Sequence, residues 1–234
     1  MSQPKKGFRA GLDSVLLGAA VAAGSKSLLD LGAGVGTAAL VALADRPDLR
    51  ATLCEADPAS AELARRNLTD NGFADRALVL GLDVAASGSV RAEAGLAANA
   101  FTSVIANPPF FDPTSGTSPD PVRAAARHMP AEALDTWLRA AATHAAPGGE
   151  AIVIHVAAAL PALLAAFERR FGAITVLPLC PRDGEAASRV LVRGIKGSRA
   201  PFSLLASRAL HVGDGRAFRR EFDALFRGEG RLDW

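Results

Sequence analysis

The chain has 234 residues, half of them apolar, and its 26 basic and 24 acidic residues leave a formal charge of only +2. This size and composition suit one large α/β domain or two small ones, and the near-zero charge excludes an overall field that attracts nucleic acid. No apolar run reaches the roughly 20 residues of a membrane-spanning helix. Two cysteines, Cys54 and Cys180, are too few for a disulfide framework or a Cys-rich zinc site. We predict a soluble protein of the reducing cytoplasm, with no bound metal.

Short apolar strands alternate with helical patterns from residue 27 to residue 171. The predicted strands are 27–31, 51–55, 77–81, 101–106 and 150–156, and the predicted helices are 37–44, 58–71, 90–96, 131–145 and 161–171. Five successive βα units predict a parallel sheet covered by helices on both faces, because parallel strands need crossover connections. Asp57-Pro58 predicts a helix N-cap, whereas Asn71-Gly72 and Pro147-Gly148-Gly149 each predict a helix end.

The pattern changes after residue 171. Two apolar strands, 173–177 and 189–194, are joined by a polar loop that contains Gly184 and has no room for a helix. These strands predict a hairpin, one strand of which runs antiparallel to the rest of the sheet. The fold class is therefore α/β: a seven-stranded, mostly parallel, doubly wound Rossmann-like sheet with a terminal antiparallel hairpin strand.

The tail predicts an edge segment near residues 202–211 and an amphipathic helix from about 216 to 226. Three aromatic residues of this helix are interpreted as core: Phe218, Phe222 and Phe226. Because no linker or internal repeat interrupts the pattern, we predict one domain over residues 1–234. Its parts are an N-terminal cap segment (1–26), a core sheet (27–196) and a C-terminal edge strand and helix (197–234).

The most informative stretch is Asn107-Pro108-Pro109-Phe110, at the end of the strand 101–106. The prolines remove two backbone donors, so the carbonyls are free to accept from a ligand, and the Asn107 side chain adds one acceptor and two donors. A planar substrate amine suits this set, with its ring stacked on Phe110 and its hydrogens donated to the Asn107 oxygen and the Pro108 carbonyl. The alternative is a plain strand before a proline-rich turn. The irregular segment 111–122 is expected to face the substrate.

A glycine-rich stretch, residues 30–36 (Asp-Leu-Gly-Ala-Gly-Val-Gly), closes the first strand and opens its helix. Gly32, Gly34 and Gly36 allow a tight turn and a close approach of the backbone to a ligand at a helix N-terminus. Glu55, at the end of the second strand, is placed to accept both ribose hydroxyls. These features indicate a nucleoside cofactor and leave dinucleotide and adenosyl cofactors open.

Two further carboxylates distinguish the cofactor classes. Asp30 precedes the first glycine, where it would repel a pyrophosphate but attract the ammonium group of a methionine moiety. Asp83 follows the third strand and is placed to accept from an adenine amino group. The terminal hairpin also differs from dehydrogenase topology, so an adenosyl cofactor is favoured. Capping and loop solvation are the alternative roles of these acids.

In these residues the chain resembles the S-adenosylmethionine-dependent class I methyltransferases, whose Asn-Pro-Pro-aromatic members methylate planar amino nitrogens. More narrowly, it resembles the tRNA (valine) adenine-N6 methyltransferases through residues 8–17 (Phe-Arg-Ala-Gly-Leu-Asp-Ser-Val-Leu-Leu) and Ala126-Arg127-His128. The resemblance implies a class I methyltransferase fold, S-adenosyl-L-methionine as cofactor and an RNA substrate, with adenine N6 in tRNA as the favoured acceptor. Phe110 departs from the tyrosine that the family often carries.

The resemblance also implies the site residues. The catalytic set is Asn107, Pro108 and Phe110. The cofactor-binding set is Asp13, Asp30, Gly32, Gly34, Gly36, Glu55, Asp83 and Asn107. The substrate-binding set is Pro109, Phe110, Arg127 and His128, where His128 alternatively caps a loop. The candidates for gripping the RNA backbone are Arg9, Arg123, Arg127 and the arginines of 216–220.

Several alternatives stay open. A glutamine-N5 methyltransferase of proteins uses the same motif, but that family usually carries an N-terminal helical domain, and only about 26 residues precede the first strand here. A guanine-N2 methyltransferase of ribosomal RNA often carries a duplicated or appended domain. Asp30 and the hairpin disfavour an NAD-dependent dehydrogenase. The non-enzyme alternative is an adenosyl-binding RNA scaffold.

Overall fold

The computed structural model of the protein describes residues 2–3, 11–109 and 131–234, and only the backbone of residues 131–133. The helices are α1 (Leu12–Ala19), α2 (Thr37–Asp45), α3 (Pro58–Asp70), α4 (Gly88–Glu93), α5 (Ala131–His144), α6 (Leu160–Glu168) and α7 (Arg220–Phe226). The strands are β1 (Ser27–Leu31), β2 (Arg50–Glu55), β3 (Ala77–Gly81), β4 (Phe101–Ala106), β5 (Ala145–Val156), β6 (Phe171–Cys180), β7 (Arg189–Lys196), β8 (Ser203–Leu204) and β9 (Arg208–Ala209).

One sheet runs through the molecule in the order β3-β2-β1-β4-β5-β7-β6-β8, and β9 also pairs with β6. The first five strands are mutually parallel, whereas β7 is antiparallel to both of its neighbours. The predicted mostly parallel sheet with a terminal antiparallel hairpin strand is therefore confirmed. The predicted number of seven strands is corrected to nine, because the edge segment forms two additional strands of two residues each.

The predicted caps of α3 are confirmed. The Asp57 side chain accepts from the Ser60 amide (2.8 Å) with Pro58 in the first turn, and Gly72 after the helix has a φ of +75°. Helix α4 begins two residues before its predicted start, since the Ser87 hydroxyl accepts from the Val90 amide at 3.3 Å. A hydroxyl at this position satisfies one of the unpaired donors of the first turn.

We predicted that residues 147–149 end a helix, and this prediction is wrong. Helix α5 already ends at His144, and these residues lie inside β5, where the pairing with β4 shifts between Phe101 and Ser103. A Cβ at Gly149 would lie 2.9 Å from the Phe101 carbonyl oxygen, so only glycine fits between the strands here. The stretch is an irregularity in the pairing of β4 with β5, a tertiary feature that shares its Pro-Gly composition with helix ends.

Alternate residues of the strands enter two cores on opposite faces of the sheet. Leu28 belongs to the core that includes residues of α1, α2, α3 and α7, whereas its neighbour Leu29 belongs to the core that includes residues of α5 and α6. Phe222 is fully buried, and Phe218 and Phe226 pack against the first core, which confirms their predicted role. Helix α7 begins only at Arg220, because a bridge between His211 and Phe218 keeps the preceding residues extended.

Two findings bear on the predicted environment of the protein. Cys54 and Cys180 are both buried free thiols. Among the helices of the described ranges, none is both long enough and apolar enough to traverse a bilayer.

Candidate active site

The glycine-rich turn follows β1 and requires glycine at three positions. Gly32, Gly34 and Gly36 have φ values of +64°, +56° and +84°, in the left-handed region that other residues rarely adopt. Two of them are also confined by packing: a Cβ at Gly32 would lie 2.5 Å from the Trp137 ring, and one at Gly36 would lie 3.0 Å from Leu53. Nothing lies within 4 Å of the corresponding position at Gly34, so the turn faces open space there.

This difference predicts unequal effects of alanine substitutions. Gly34→Ala carries only the cost of a left-handed alanine, about 1–2 kcal/mol. Gly32→Ala adds a steric conflict with Trp137, and overpacking of this kind costs a further 1–3 kcal/mol, roughly. We therefore expect thermal unfolding, followed by circular dichroism, to show a clearly larger loss for Gly32→Ala. Equal losses would contradict close packing between Gly32 and Trp137.

Glu55 ties the end of β2 to the glycine-rich turn. Its Oε2 accepts from the Gly34 amide at 2.7 Å, and its Oε1 accepts from the Asp57 amide at 2.8 Å. Each carboxylate oxygen has a second lone pair, so both can still accept from ribose hydroxyls. The structure thus joins this acid to the glycine-rich turn, a contact that the sequence analysis did not predict.

Asp30 is a buried carboxyl group, with 2% of its surface exposed. Burial raises its pKa to about 7; a hydrogen bond from the Ala39 amide partly opposes this rise, and the charge of Glu55 adds to it. Its Oδ2 has no hydrogen-bond partner among the described residues. A buried carboxyl group with an unsatisfied oxygen is stabilised in its charged form by an incoming cation.

Asn107 lies beside the glycine-rich turn. Strands β1 and β4 are neighbours with Leu31 opposite Ala106, so Gly32 and Asn107 are the residues that continue this register. The Asn107 Oδ1 is buried and, within the ranges that the structure describes, no donor reaches it. Two unsatisfied acceptors, Asp30 Oδ2 and Asn107 Oδ1, thus occur at the same edge of adjacent strands, where a ligand rich in N–H donors would satisfy them.

The chain that carries this fold and these motifs matches a known protein family. A family model described as methyltransferase small domain matches residues 12–178. The chain belongs to this family. The predicted resemblance to class I S-adenosylmethionine-dependent methyltransferases is thereby confirmed.

Relatives and solved structures extend the similarity. A tRNA1(Val) (adenine(37)-N6)-methyltransferase of Flavobacteriaceae bacterium (strain 3519-10) is 31% identical over 66% of this chain and 62% of its own length. One from Aeromonas hydrophila subsp. hydrophila is 31% identical over 80% and 76%. A crystal structure from Agrobacterium tumefaciens, described as a predicted O-methyltransferase, is 33% identical with a TM-score of 0.78, covering 94% and 98%. The match thus spans about three fifths of the first relative's length.

The remaining predicted site residues of the chain differ in their surroundings. Asp83 is exposed, and its Oδ1 accepts from the Ala85 amide (2.8 Å), which closes the turn after β3. Asp13 forms an ion pair with Arg189 at 3.0 Å. Pro108 is buried and Pro109 exposed directly after Asn107. Several predictions fall outside the described residues: Phe110, Arg127, His128, the segment 111–122, Arg9 and Arg123.

Sequence reasoning missed two side chains beside the site. Trp137 on α5 lies against Gly32, and the buried ring of His155 on β5 lies close to the backbone of Pro109. Both partners are remote in sequence, and neither side chain is part of a motif. Helical periodicity predicts only the face of α5 on which Trp137 lies, so no local sequence signal identifies its contact with Gly32.

The residues of this site fit S-adenosyl-L-methionine. Asp30 Oδ2 offers a carboxylate for the methionine ammonium group, Glu55 has capacity for the ribose, and the open side of Gly34 leaves room for close approach of the ligand. A metal site is a separate matter: in the described ranges, no group of three or more His, Cys, Asp or Glu side chains is arranged to bind one.

Proposed function

We propose that the protein transfers the methyl group of S-adenosyl-L-methionine to an exocyclic amino nitrogen, with adenine N6 of a tRNA as the favoured acceptor. The observation that carries this proposal is the buried Asn107 Oδ1 without a donor among the described residues, directly ahead of two prolines at the end of β4. An amide oxygen in this position suits a substrate that brings N–H groups. The names of the matching tRNA1(Val) adenine-N6 relatives support the choice of acceptor.

The proposed mechanism depends on the geometry around the amine. An aromatic amine is a poor nucleophile, because its lone pair is delocalised into the ring. Asn107 Oδ1 and the Pro108 carbonyl accept its two hydrogens and draw the nitrogen towards tetrahedral geometry, which localises the lone pair, while Phe110 stacks on the ring. The nitrogen then bonds to the methyl carbon as the carbon–sulfur bond breaks, and one N–H proton is subsequently released. Orientation of this kind supplies roughly 7–11 kcal/mol in favourable cases.

The cofactor supplies an electrophilic methyl group on a sulfonium centre. Asp30 would hold the ammonium group of its methionine moiety, and Glu55 would accept from the ribose hydroxyls. The backbone of Gly32, Gly34 and Gly36 would face the cofactor, and Asp83 would accept from its adenine amine with the oxygen that does not close the turn. Asp13 on α1, which pairs with Arg189, is also proposed to contribute to cofactor binding.

Residues 1–234 are proposed to act as one methyltransferase domain. Supporting this, every strand in the described ranges belongs to one sheet. The tail also returns to the N-terminal helix: the Leu232 amide donates to the Ala19 carbonyl (3.1 Å), and Trp234 Nε1 donates to that of Ala20 (3.0 Å).

An RNA-binding surface is proposed at the edge of the sheet where Asn107 lies. Because β6 and β9 run parallel to β4, the loops that follow them open onto this same edge. Arg216 in the second loop and Arg220 at the start of α7 are exposed, and neither pairs with an acidic side chain in the described part of the chain. Arginines in such a position can bind backbone phosphates while the target base is turned out of its stack.

Substitution of these arginines tests the surface. The double variant Arg216→Gln/Arg220→Gln is expected to raise KM for tRNA and to reduce the slope of log KM against log salt by about 1 per lost phosphate contact. The matched control is Lys26→Gln/Arg50→Gln, since these exposed residues lie at the opposite edge of the sheet. We expect S-adenosylmethionine affinity to be unchanged in both variants. The same salt slope in both would place the RNA elsewhere.

The direct test of the proposed function is transfer of labelled methyl groups to unmodified total tRNA, followed by nucleoside analysis. Label in N6-methyladenosine, absent with Asn107→Ala, is the expected result. Oxygen is the second candidate acceptor, because the similar Agrobacterium protein is described as an O-methyltransferase, but a hydroxyl group brings only one hydrogen to the two proposed acceptors. With protein extract added as a competing acceptor, label in an O-methylated product, in N2-methylguanosine or in protein glutamine would overturn the adenine assignment. A tRNA substrate would also place the enzyme in the cytoplasm.

A further inference from the structure

A tryptophan ring lies against the first glycine of the glycine-rich turn. A Cβ at Gly32 would lie 2.5 Å from Cη2 and 3.0 Å from Cζ3 of Trp137, so the benzene edge of the indole touches the Gly32 backbone directly. At Gly34, by contrast, no atom lies within 4 Å of the corresponding position. The ring therefore bears on the turn at Gly32 and leaves it open at Gly34.

Helix α5 holds this ring on a rigid support. Trp137 is partly buried and packs against the second core, and its helix neighbours Leu134 and Leu138 are buried in that core. Two residues earlier, the Asp135 carboxylate accepts two hydrogen bonds from Arg170, at 2.8 and 2.9 Å, which tie this part of the helix to the segment after α6. A side chain locked in this way can hold a neighbouring backbone in one conformation.

The backbone that Trp137 touches connects the groups of the candidate site. Gly32 follows Asp30 by two residues and continues the strand register beside Asn107. The Oδ2 of Asp30 and the Oδ1 of Asn107 are both buried and unsatisfied in the described ranges. Displacement of Gly32 would therefore alter the position of the turn relative to both acceptors.

We propose that Trp137 is a positioning residue of the S-adenosyl-L-methionine site, which holds the glycine-rich turn at Gly32 in the conformation that receives the methionine end of the cofactor. The inference rests on the proposed placement of the cofactor and is independent of the proposed acceptor. A preorganised site binds its ligand more tightly, because less ordering remains to be done on binding. Since the ring touches the backbone of the turn, its fluorescence should change when the cofactor binds.

The two tryptophans of the chain, Trp137 and Trp234, allow a spectroscopic test, since the sequence contains no tyrosine. Trp234 packs against the first core, on the opposite face of the sheet, and donates to the Ala20 carbonyl at 3.0 Å. Titration with S-adenosyl-L-methionine should change the emission of the wild type and of Trp234→Phe, but not that of Trp137→Phe at saturating cofactor. An unchanged emission in the wild type, or a change kept in Trp137→Phe, would overturn the inference.

Calorimetric titration measures the positioning effect itself. We expect Trp137→Ala to weaken S-adenosyl-L-methionine binding about 10-fold and Trp137→Phe to weaken it less, because a smaller ring still restricts the turn. Leu138→Ala is the matched control, since Leu138 is fully buried in the same core and follows Trp137 on α5. This control should lose thermal stability but keep its cofactor affinity. Equal losses of affinity in Trp137→Ala and Leu138→Ala would assign Trp137 to core packing alone.

The double variant Gly32→Ala/Trp137→Phe tests the contact and also decides the matter if Trp137→Ala does not fold. Phenylalanine lacks the outer ring atoms that a methyl group at Gly32 would meet. The losses of stability and of cofactor affinity in the double variant should therefore be smaller than the sums of the single losses, as for residues in contact. Additive losses would sink the inference. None of these measurements uses an acceptor, so a methylated product other than N6-methyladenosine would overturn the proposed function without affecting this result.

Discussion

Replacing Asn107 with alanine is expected to lower kcat for methyl transfer about 100- to 1000-fold, the loss typical of removing one preorganised hydrogen-bonding group from an active site. The buried Oδ1 has no donor among the described residues, so no hydrogen bond within these ranges is lost with it. Thermal stability should therefore change little. Affinity for S-adenosylmethionine should fall by at most about 10-fold, since a single neutral hydrogen bond contributes about 0.5–1.5 kcal/mol.

Asn107→Asp is the matched variant, because it keeps an acceptor oxygen and loses the NH2 group. We expect its kcat to lie above that of Asn107→Ala. Steady-state kinetics with unmodified tRNA, combined with calorimetric titration of the cofactor, measures both effects. Parallel loss of kcat and of cofactor binding would instead assign Asn107 to cofactor binding alone.

Asp30→Asn is expected to have opposite effects on stability and on cofactor binding. The pKa of Asp30 is raised in the folded protein from 3.8 to about 7, so the native state binds more protons than the unfolded state between these values. The stability that this group contributes is therefore full below about pH 4 and is lost as pH rises towards 7. Asparagine keeps the shape without the charge. The variant should match the wild type near pH 4 and exceed it at pH 8 by up to about 4 kcal/mol, at about 1.4 kcal/mol per pKa unit.

Binding should respond in the other direction. A charged hydrogen bond contributes about 1.5–3 kcal/mol, so loss of the carboxylate should weaken S-adenosylmethionine binding about 10- to 100-fold at pH 8. Wild-type affinity should increase from pH 6 to pH 8 as Asp30 ionises, whereas the pH dependence from this group should vanish in Asp30→Asn. Urea unfolding and calorimetric titration over this range provide both measurements. Loss of stability in Asp30→Asn at pH 8 would show that the unsatisfied carboxylate does not destabilise the folded protein.

Local sequence signals predicted most of the sheet. The bounds of β1, β3 and β4 agree with the predicted strands, because each is a short apolar run between polar or glycine-rich residues. The hairpin of β6 and β7 followed from the absence of a helix between two apolar runs. By contrast, β8 and β9 have two residues each and exist only through their pairing with β6, so no periodicity marks them.

The features of the candidate site likewise fall into those that the sequence predicted and those that it did not. The glycine-rich turn, Glu55 and Asn107 were predicted because each follows a strand whose end the sequence marks. The burial of Asp30 and its effect on the pKa were not predictable, since they depend on α2 and the sheet around it. The contacts of Trp137 and His155 join residues more than 40 positions apart, and such pairs become visible only in three dimensions.

The position of β7 between β5 and β6 constrains the order in which the sheet assembles during synthesis of the chain. Every strand that pairs with β6 follows it in the sequence, so β6 leaves the ribosome before any partner strand exists. All predicted cofactor-binding residues precede residue 108, whereas Arg216 and Arg220 lie in the last 20 residues. A nascent chain therefore carries all the predicted cofactor-binding residues well before β7 joins β5 to β6. The proposed RNA-binding loop emerges later still, after β7.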